Sequence, residues 1–235
     1  MKLSRATRAS LAIALISGVL AGGADSAAKG GNAMDNAVPG KVIELPKPVL
    51  KSSKSLEEAL AKRQSVRSYS ARQLSIQEAS QLLWAGQGEK GRRFGRTAPS
   101  AGALFPLELY LVTGQGAFHY DPGSHSLVTV HAGDLRDPLA AAALGQGCVR
   151  SAPAVVVISA VMERTAAKYR GRAERYVHME VGHAAQNILL EAVSLGLGAV
   201  PVGAFEDARV RQVLKLPENQ APLMLIPIGH PAEGR

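Results

Sequence analysis

Three side chains in the stretch "KRQSVRSYS" (62–70) have the types and spacing to hold an anion. In an extended chain Arg63, Ser65 and Arg67 point to one side, while Gln64 and Val66 point to the other. Two planar guanidinium forks and a hydroxyl then converge, a set suited to a phosphate and to the polar edge of a heterocycle. Were the preceding helix to continue, Ser65 would face away from both arginines and the run would read as a solvated basic face. A second stretch, "RTAPSAGALFPLELYLV" (96–112), places Pro99, Ser100, Ala101, Gly102 and Ala103 in succession. Residues this small leave little to pack and let backbone amides approach a ligand closely. The same loop also reads as an ordinary tight connection ahead of a strand.

Other constellations fall short of a reaction. "HMEVGH" brings His178, Glu180 and His183 close in a helical stretch, but a spacing of five leaves the two histidines about 140° apart around a helix. Zinc helices set them four apart on one face, so packed or hydrogen-bonded core histidines fit better. There is no G-x-S-x-G nucleophile elbow, and Ser100 has no base beside it in sequence. "GQGEKG" follows a helix rather than a strand, which removes the dinucleotide fingerprint. Cys148 is the single cysteine; it has no activating neighbour and reads as a small buried hydrophobe.

The elements that must position these residues follow from capping signals and periodicity. "SLEEALAKR" starts a helix at Ser55 with Glu58 completing a capping box, and "SIQEASQLLWAG" repeats the device with Ser75 and Glu78 before stopping at Gly86. "AFHYDPGSHSLVTV" is a hairpin around Asp-Pro-Gly, and "GDLRDPLAAAAL" a short helix. "APAVVVISAV" does not alternate and reads as a strand buried on both faces. A helix of about twenty residues, "ERYVHMEVGHAAQNILLEAVSLGLG", closes on glycine; "AVPVG", "EDARVRQVLKL" and "PLMLIPIG" then predict strand, helix and strand. Interleaved helices with a hairpin argue for an α+β fold, helices packed on a mixed or antiparallel sheet.

The chain has 235 residues, 46% hydrophobic and 20% charged, which suits one domain with a sizeable core. It opens on a basic segment, an apolar stretch of about fifteen residues and a small-residue finish, with cleavage positions after Ala24 or Ala28. That is the layout of a secretory signal peptide over 1–24, shorter than the roughly 20 apolar residues a spanning helix needs. Export to a periplasm or beyond is expected, without stable membrane insertion. Residues 25–54 lack periodicity and read as an N-terminal arm that wraps a neighbour, leaving 55–235 as the folded domain. The net charge of +8 sits in short basic clusters, with aromatics at only 4% and no nucleic-acid motif. A phosphate-bearing small ligand fits these clusters better than nucleic acid does.

Taken in order, "RQSVRSY", "LSIQEASQLLWAGQG", "RTAPSAGALFPLELYLV", "KYRGRAERYVHMEVGHAAQNILLEAVSLGLG", "VPVGAF" and "LIPIGHP" resemble the flavin-dependent nitroreductases. Within them the pattern is similar to the SagB-type dehydrogenases, which include azoline oxidases. The resemblance runs from about Ser55 to Pro231; Gln64 stands inside the family's usual Arg-Arg-Ser motif.

The resemblance implies a nitroreductase-like fold with FMN at a homodimer interface, both subunits lining each site. Arg63 would meet the phosphate, Ser65 the phosphate or ribityl chain, and Arg67 the pyrimidine edge, where a cation adjusts the redox potential. Pro99, Ser100, Ala101 and Gly102 would cradle the cofactor. Pro201, Val202 and Gly203 would pass the ring and offer an amide to N5, and Arg235 would reach the phosphate. Lys168 and Tyr169 match a Lys-Tyr pair associated with catalysis in the azoline oxidase branch, where dehydrogenation requires loss of a proton. On the long helix, Gly182, Ala185 and Ile188 would allow close packing, with Glu180, His183 and Gln186 as buried polar partners. The expected function is an exported FMN-dependent oxidoreductase that dehydrogenates a small molecule or peptide. The alternatives are an NAD(P)H-dependent nitroreductase or flavin reductase, and a flavin-binding protein without turnover.

Overall fold

The computed structural model describes residues 34, 35, 37–91 and 95–232; the expected signal segment, the first part of the arm and Arg235 lie outside them. In chain order the elements are β1 (Val42–Glu44), α1 (Leu56–Lys62), α2 (Ile76–Gln87), β2 (Leu107–Thr113), β3 (Gly116–Asp121), β4 (Ser126–Ala132), α3 (Arg136–Ala142), α4 (Gly147–Ser151), β5 (Ala154–Ala160), α5 (Met162–Tyr169), α6 (Ala173–Ser194), β6 (Gly198–Ala199), α7 (Asp207–Leu214) and β7 (Ala221–Gly229). The strands form one sheet in the order β1-β4-β3-β2-β5-β7-β6. Every pairing between these strands is antiparallel; the parallel component is a single bridge, Ser65 to Ala199.

β5 explains the layering. All seven of its residues are buried, and they alternate between two cores. Ala154, Val156, Ile158 and Ala160 pack with Leu82 and Leu83 of α2 and Val177, Val181 and Ile188 of α6. Val155 and Val157 pack with Leu139 of α3, Val149 of α4 and Val210 and Leu214 of α7. The run did not alternate in sequence because helices cover both faces, and each large apolar side chain removed from water contributes about 1.5–3 kcal/mol.

Both capping boxes form. The amide of Glu58 donates to Ser55 Oγ at 3.2 Å and that of Glu78 to Ser75 Oγ at 3.2 Å, while the glutamates accept from the Ser55 and Ser75 amides. Gly86 does not stop α2, which runs on to Gln87. Its missing side chain serves packing instead: a Cβ there would lie 2.9 Å from Ile188 Cδ1 and 3.0 Å from Leu109 Cδ1.

Three further differences concern local elements. α4 and α5 were not foreseen, and the "AVPVG" strand shortens to Gly198–Ala199, with Val202 bridging Leu225 separately. The segment expected as a wrapping arm packs, in its described part, on its own chain. β1 pairs with β4, and Ile43 and Leu45 are buried. Gln81 then exchanges two hydrogen bonds with the Val49 backbone at 2.8 and 2.9 Å. Lys54 Nζ caps the end of α6 through the carbonyls of Val193 (2.8 Å) and Ser194 (3.1 Å), a favourable position for a cation at a helix C-terminus.

The helix-to-helix approach at Gly86 gives a stability test. Gly86→Val, despite the better helix propensity of valine, is expected to lower unfolding free energy by about 1–3 kcal/mol through overpacking against Ile188, measured by urea denaturation.

Candidate functional site

The expected cofactor residues gather in two clusters. The first begins where α1 ends. Arg63 leaves the helix with ψ 120 and the chain becomes extended, which is the condition for Arg63, Ser65 and Arg67 to share one side. The bridge from Ser65 to Ala199 then lays this strand beside the segment carrying Pro201, Val202 and Gly203, and the Val66 amide donates to the Ala199 carbonyl at 3.0 Å. Gln64 and Val66 turn into a cavity of about 220 Å³ with Leu189, Val193 and Gly198, leaving Arg63, Ser65 and Arg67 on the opposite side. Among the described residues neither arginine has an ion-pair partner. Val202 spends both backbone groups on Leu225, at 2.8 and 2.9 Å. Proline has no amide, so Gly203 is the member of 201–203 whose N–H remains to be offered.

The second cluster surrounds the small-residue loop. Residues 101–103 make one turn of 3-10 helix with Gly102 at φ 63, and Ala103 and Phe105 also hold positive φ, 54 and 45. Backbone in this region is strained for residues with a Cβ and needs fixing from outside. Ser100 Oγ accepts from the Phe105 amide at 2.9 Å, Arg164 of α5 donates to the Phe105 carbonyl at 3.0 Å, and the Arg96 guanidinium lies 4.8 Å from the centre of the Phe105 ring. Arg164 is anchored in turn by Glu108 at 2.6 Å, and Glu108 meets His119 at 2.7 Å. Burial would raise the Glu108 pKa, but His119 and Arg164 outweigh it and leave the carboxyl below its ordinary range.

Lys168 and Tyr169 close over this loop. A Cβ on Gly102 would lie 2.9 Å from Tyr169 Oη and 3.1 Å from Lys168 Nζ; the φ favours glycine, and the contact shows how closely the two side-chain ends approach the loop. Tyr169 packs edge-on against Tyr176 of α6, ring centres 4.9 Å apart. Pro99, Ser100 and Ala101 line a cavity of about 290 Å³ with Tyr176, Met179, Glu180 and His183.

The structure separates α6 residues that had been grouped in sequence. Glu180 is only 2% exposed, whereas His183 and Gln186, expected as buried partners, are exposed, and Gly182 faces open space. The reason is rotational. Val177, Glu180, Val181, Ala184 and Ile188 occupy the core face of α6, and 179, 182, 183 and 186 lie around the cylinder from it. His178 is exposed too, and among the described residues no group of three or more His, Cys, Asp or Glu is arranged to hold a metal. Cys148 is buried, as expected.

The cavities beside the two clusters are separate. The loop cavity touches α6 at 176–183 and the cavity behind the Arg63 strand touches it at 189 and 193. At about 1.5 Å rise per residue, their centres are roughly 15–20 Å apart along the helix.

The sequence pattern of the Nitroreductase family matches residues 60–230, a span that contains both clusters. The chain belongs to the nitroreductase family. A nitroreductase-family protein of Methanocaldococcus jannaschii is 44% identical over 200 residues, covering 83% of this chain and 100% of that protein. A nitroreductase-family structure from Ralstonia eutropha aligns with a TM-score of 0.74 at 30% identity, covering 82% of this chain and 90% of that one. Another from Desulfovibrio desulfuricans, solved in complex with FMN, aligns with a TM-score of 0.59 at 25% identity, covering 77% and 89%.

Of the three polar residues expected to be buried on α6, Glu180 alone is buried. Burial pushes its carboxyl up to about 7, against the pull of Ser100, Arg96 and Gln87. Its Oε1 has no hydrogen-bond partner, and neither has Gln87 Nε2 beside it. The other Gln87 atom, Oε1, accepts from Arg96 at 3.0 Å. An acid within a run of alternating apolar residues was the sequence signal, but only the fold shows what it faces.

A pH test of stability follows. Because the folded carboxyl holds its proton more tightly than the unfolded one, its favourable contribution is complete below about 4.5 and lost as pH rises through about 7. Glu180→Gln escapes that loss. The variant is expected to gain about 2–4 kcal/mol relative to wild type between pH 4.5 and pH 8, read from paired denaturation curves.

Proposed function

We propose that the protein is an FMN-dependent oxidoreductase working as a homodimer, each site built from both copies. The observation that carries this reading is the division of the cofactor residues. Arg63, Ser65, Arg67 and Gly203 lie in one cluster, and the Pro99–Gly102 loop with Lys168 and Tyr169 in another, which lines a separate cavity against a different stretch of α6. A second copy would bring the loop of one chain to the arginines of the other. The exposed stripe of Met179, Gly182, His183 and Gln186 on α6, with Leu56 and Leu60 on α1, provides a surface for it.

The residues present fit FMN. Two guanidinium groups with no ion-pair partner among the described residues, and the Ser65 hydroxyl, suit a phosphate and a pyrimidine edge. The Gly203 amide is unspent, and the 99–102 backbone is bare enough for close approach. The chemistry FMN supplies when bound is two-electron, hydride-type redox. The loop and the apolar wall of Tyr176 and Met179 restrict water, and Lys168 Nζ and Tyr169 Oη, both set against Gly102, are placed to take or return a substrate proton.

The finer reading is an exported dehydrogenase of a small molecule or peptide, SagB-type in character. It is supported by the Lys168–Tyr169 contact with the loop and by the signal-like segment 1–24, since soluble NAD(P)H is not expected outside the cytoplasm. Among the described residues no helix is long and apolar enough to cross a membrane. A second reading is nitro- or flavin reduction driven by NAD(P)H; the nitroreduction in it is favoured by the identity with the Methanocaldococcus jannaschii protein along its whole length, the flavin reduction and its donor by the likeness to a Vibrio harveyi NADPH-flavin oxidoreductase. Anaerobic bleaching of the flavin separates the two: thiazolines, oxazolines and related donors bleach it in the first case, NADH or NADPH in the second. Full-length protein starting at Met1 and found in the cytosol would remove export.

Purified protein is expected to be yellow and dimeric by light scattering, with one FMN per chain, and Arg63→Ala to lose most of it. Colourless protein that refuses added FMN would sink the proposal. Lys168→Ala and Tyr169→Phe should keep flavin content while at least one of them slows substrate-driven flavin reduction by roughly a hundredfold or more, the usual loss for a removed acid/base group.

A further inference from the structure

α5, the helix that carries Lys168 and Tyr169, has little apolar surface to hold it in place. Of its eight residues only Thr165 is buried, and a segment with so few buried contacts shifts or opens at low cost. It ends at Arg170, whose φ of 48 breaks the helix. Lys168 has no ion-pair partner among the described residues, and Tyr169 is steadied by the edge-on ring of Tyr176. Where the two side chains stand over the loop therefore depends on where the helix backbone is set.

Two polar contacts set it. At the helix start the Val161 amide donates to the Pro106 carbonyl at 2.9 Å. Three residues on, the Arg164 guanidinium divides its fork: Nη1 donates to the Phe105 carbonyl at 3.0 Å, and Nη2 lies 2.6 Å from Glu108 Oε1. The other carboxylate oxygen of Glu108 is held at 2.7 Å by His119 Nε2 from β3, so the anchor for Arg164 is itself fixed in the sheet. Arg164 and Lys168 are four apart and share one face of α5. That face straddles the cofactor loop. Arg164 grips its end at Phe105, and Lys168 stands over its middle at Gly102.

We propose that Arg164 is a positioning residue for the proton-handling pair, its guanidinium setting Lys168 and Tyr169 over the cofactor loop by binding the Phe105 carbonyl and the Glu108 carboxylate at once. The inference rests on the flavin reading above and on the part given there to the pair. A lysine at 164 answers the charge of Glu108, but a compact ammonium does not reproduce the planar fork that spans both acceptors. Losing the fork displaces the pair without removing it, and a displacement of about 1 Å is enough to cost about a hundredfold in rate. The phosphate and ring contacts assigned to Arg63, Ser65 and Arg67 belong to the other cluster, so FMN should be retained.

The test compares Arg164→Lys and Arg164→Met with wild type, as FMN-loaded dimers with a thiazoline as the donor. Both variants should keep flavin content and the rate of reduction by dithionite. Thiazoline-driven flavin reduction should slow by roughly tenfold to a hundredfold at saturating donor, with KM changed by no more than about twofold. Arg164→Lys should keep more of the wild-type melting temperature than Arg164→Met and yet be as slow. A wild-type rate in Arg164→Lys overturns the proposal, as does loss of its FMN. In whichever of Lys168→Ala and Tyr169→Phe is the slower, adding Arg164→Lys should cost no more than about twofold, because the group it places is already gone. A fully additive loss overturns the proposal. A second readout needs neither cofactor nor donor. In protein stripped of FMN, amide hydrogen exchange should rise together at 101–105 and 166–170 in Arg164→Lys. A rise confined to one segment, or no rise, overturns the tie whether or not FMN binds. A joint rise in a protein that takes up no FMN, or whose flavin no thiazoline bleaches, leaves the tie standing and brings down the flavin or the dehydrogenase reading instead.

Discussion

Burial of β5 on both faces is the constraint on which the remaining structure depends. A strand with seven buried residues must be covered twice, and the two cores that result assign every helix of consequence to a side. α2 and α6 cover one face, α3, α4 and α7 the other. The site follows from the first of these faces. Once α6 is laid across the sheet, its N-terminal half meets the loop that precedes β2, and its C-terminal half meets the strand that follows α1. The same packing buries Glu180 in the wall of the loop cavity and pins the end of α6 with Lys54.

The loop itself trades stability for access. Positive φ at Ala103 and Phe105 costs conformational energy, and the surroundings offset it with a set of charged and aromatic contacts. Arg164 on the Phe105 carbonyl, Arg96 over the Phe105 ring and the Ser100–Phe105 bond hold the shape of the loop over which Lys168 and Tyr169 sit. Arg164 also belongs to α5, the helix that ends in Lys168 and Tyr169. Through it the loop geometry and the proposed proton-handling pair are tied to one another, so neither can shift independently.

Much of this was legible in the residues. The two capping boxes, the hairpin, the buried strand and the long helix each have a local cause, whether a side chain within four residues or a hydrophobic period, and local causes survive in sequence. Gly86 was misread because a glycine near a helix end carries the same letter whether it stops the helix or admits a neighbour; Ile188, about a hundred positions away, decides which. β1 was missed because an edge strand of three residues has almost no periodicity of its own and is defined by its partner β4.

For the site, the amino-acid types determined the chemistry on offer. Two guanidinium groups and a hydroxyl at alternate positions, a run without side chains, and a Lys-Tyr pair are properties of the chain alone, and the family resemblance ran through those same letters. Tertiary structure decided which of them meet. It brought 63–67 to 199–203 through one bridge, set Lys168 and Tyr169 on Gly102, and turned His183 and Gln186 outward. Sequence spacing fixes direction only within an element, through the helical or strand period. Distances between elements are set by how their apolar faces are buried together, and that is a property of the whole fold.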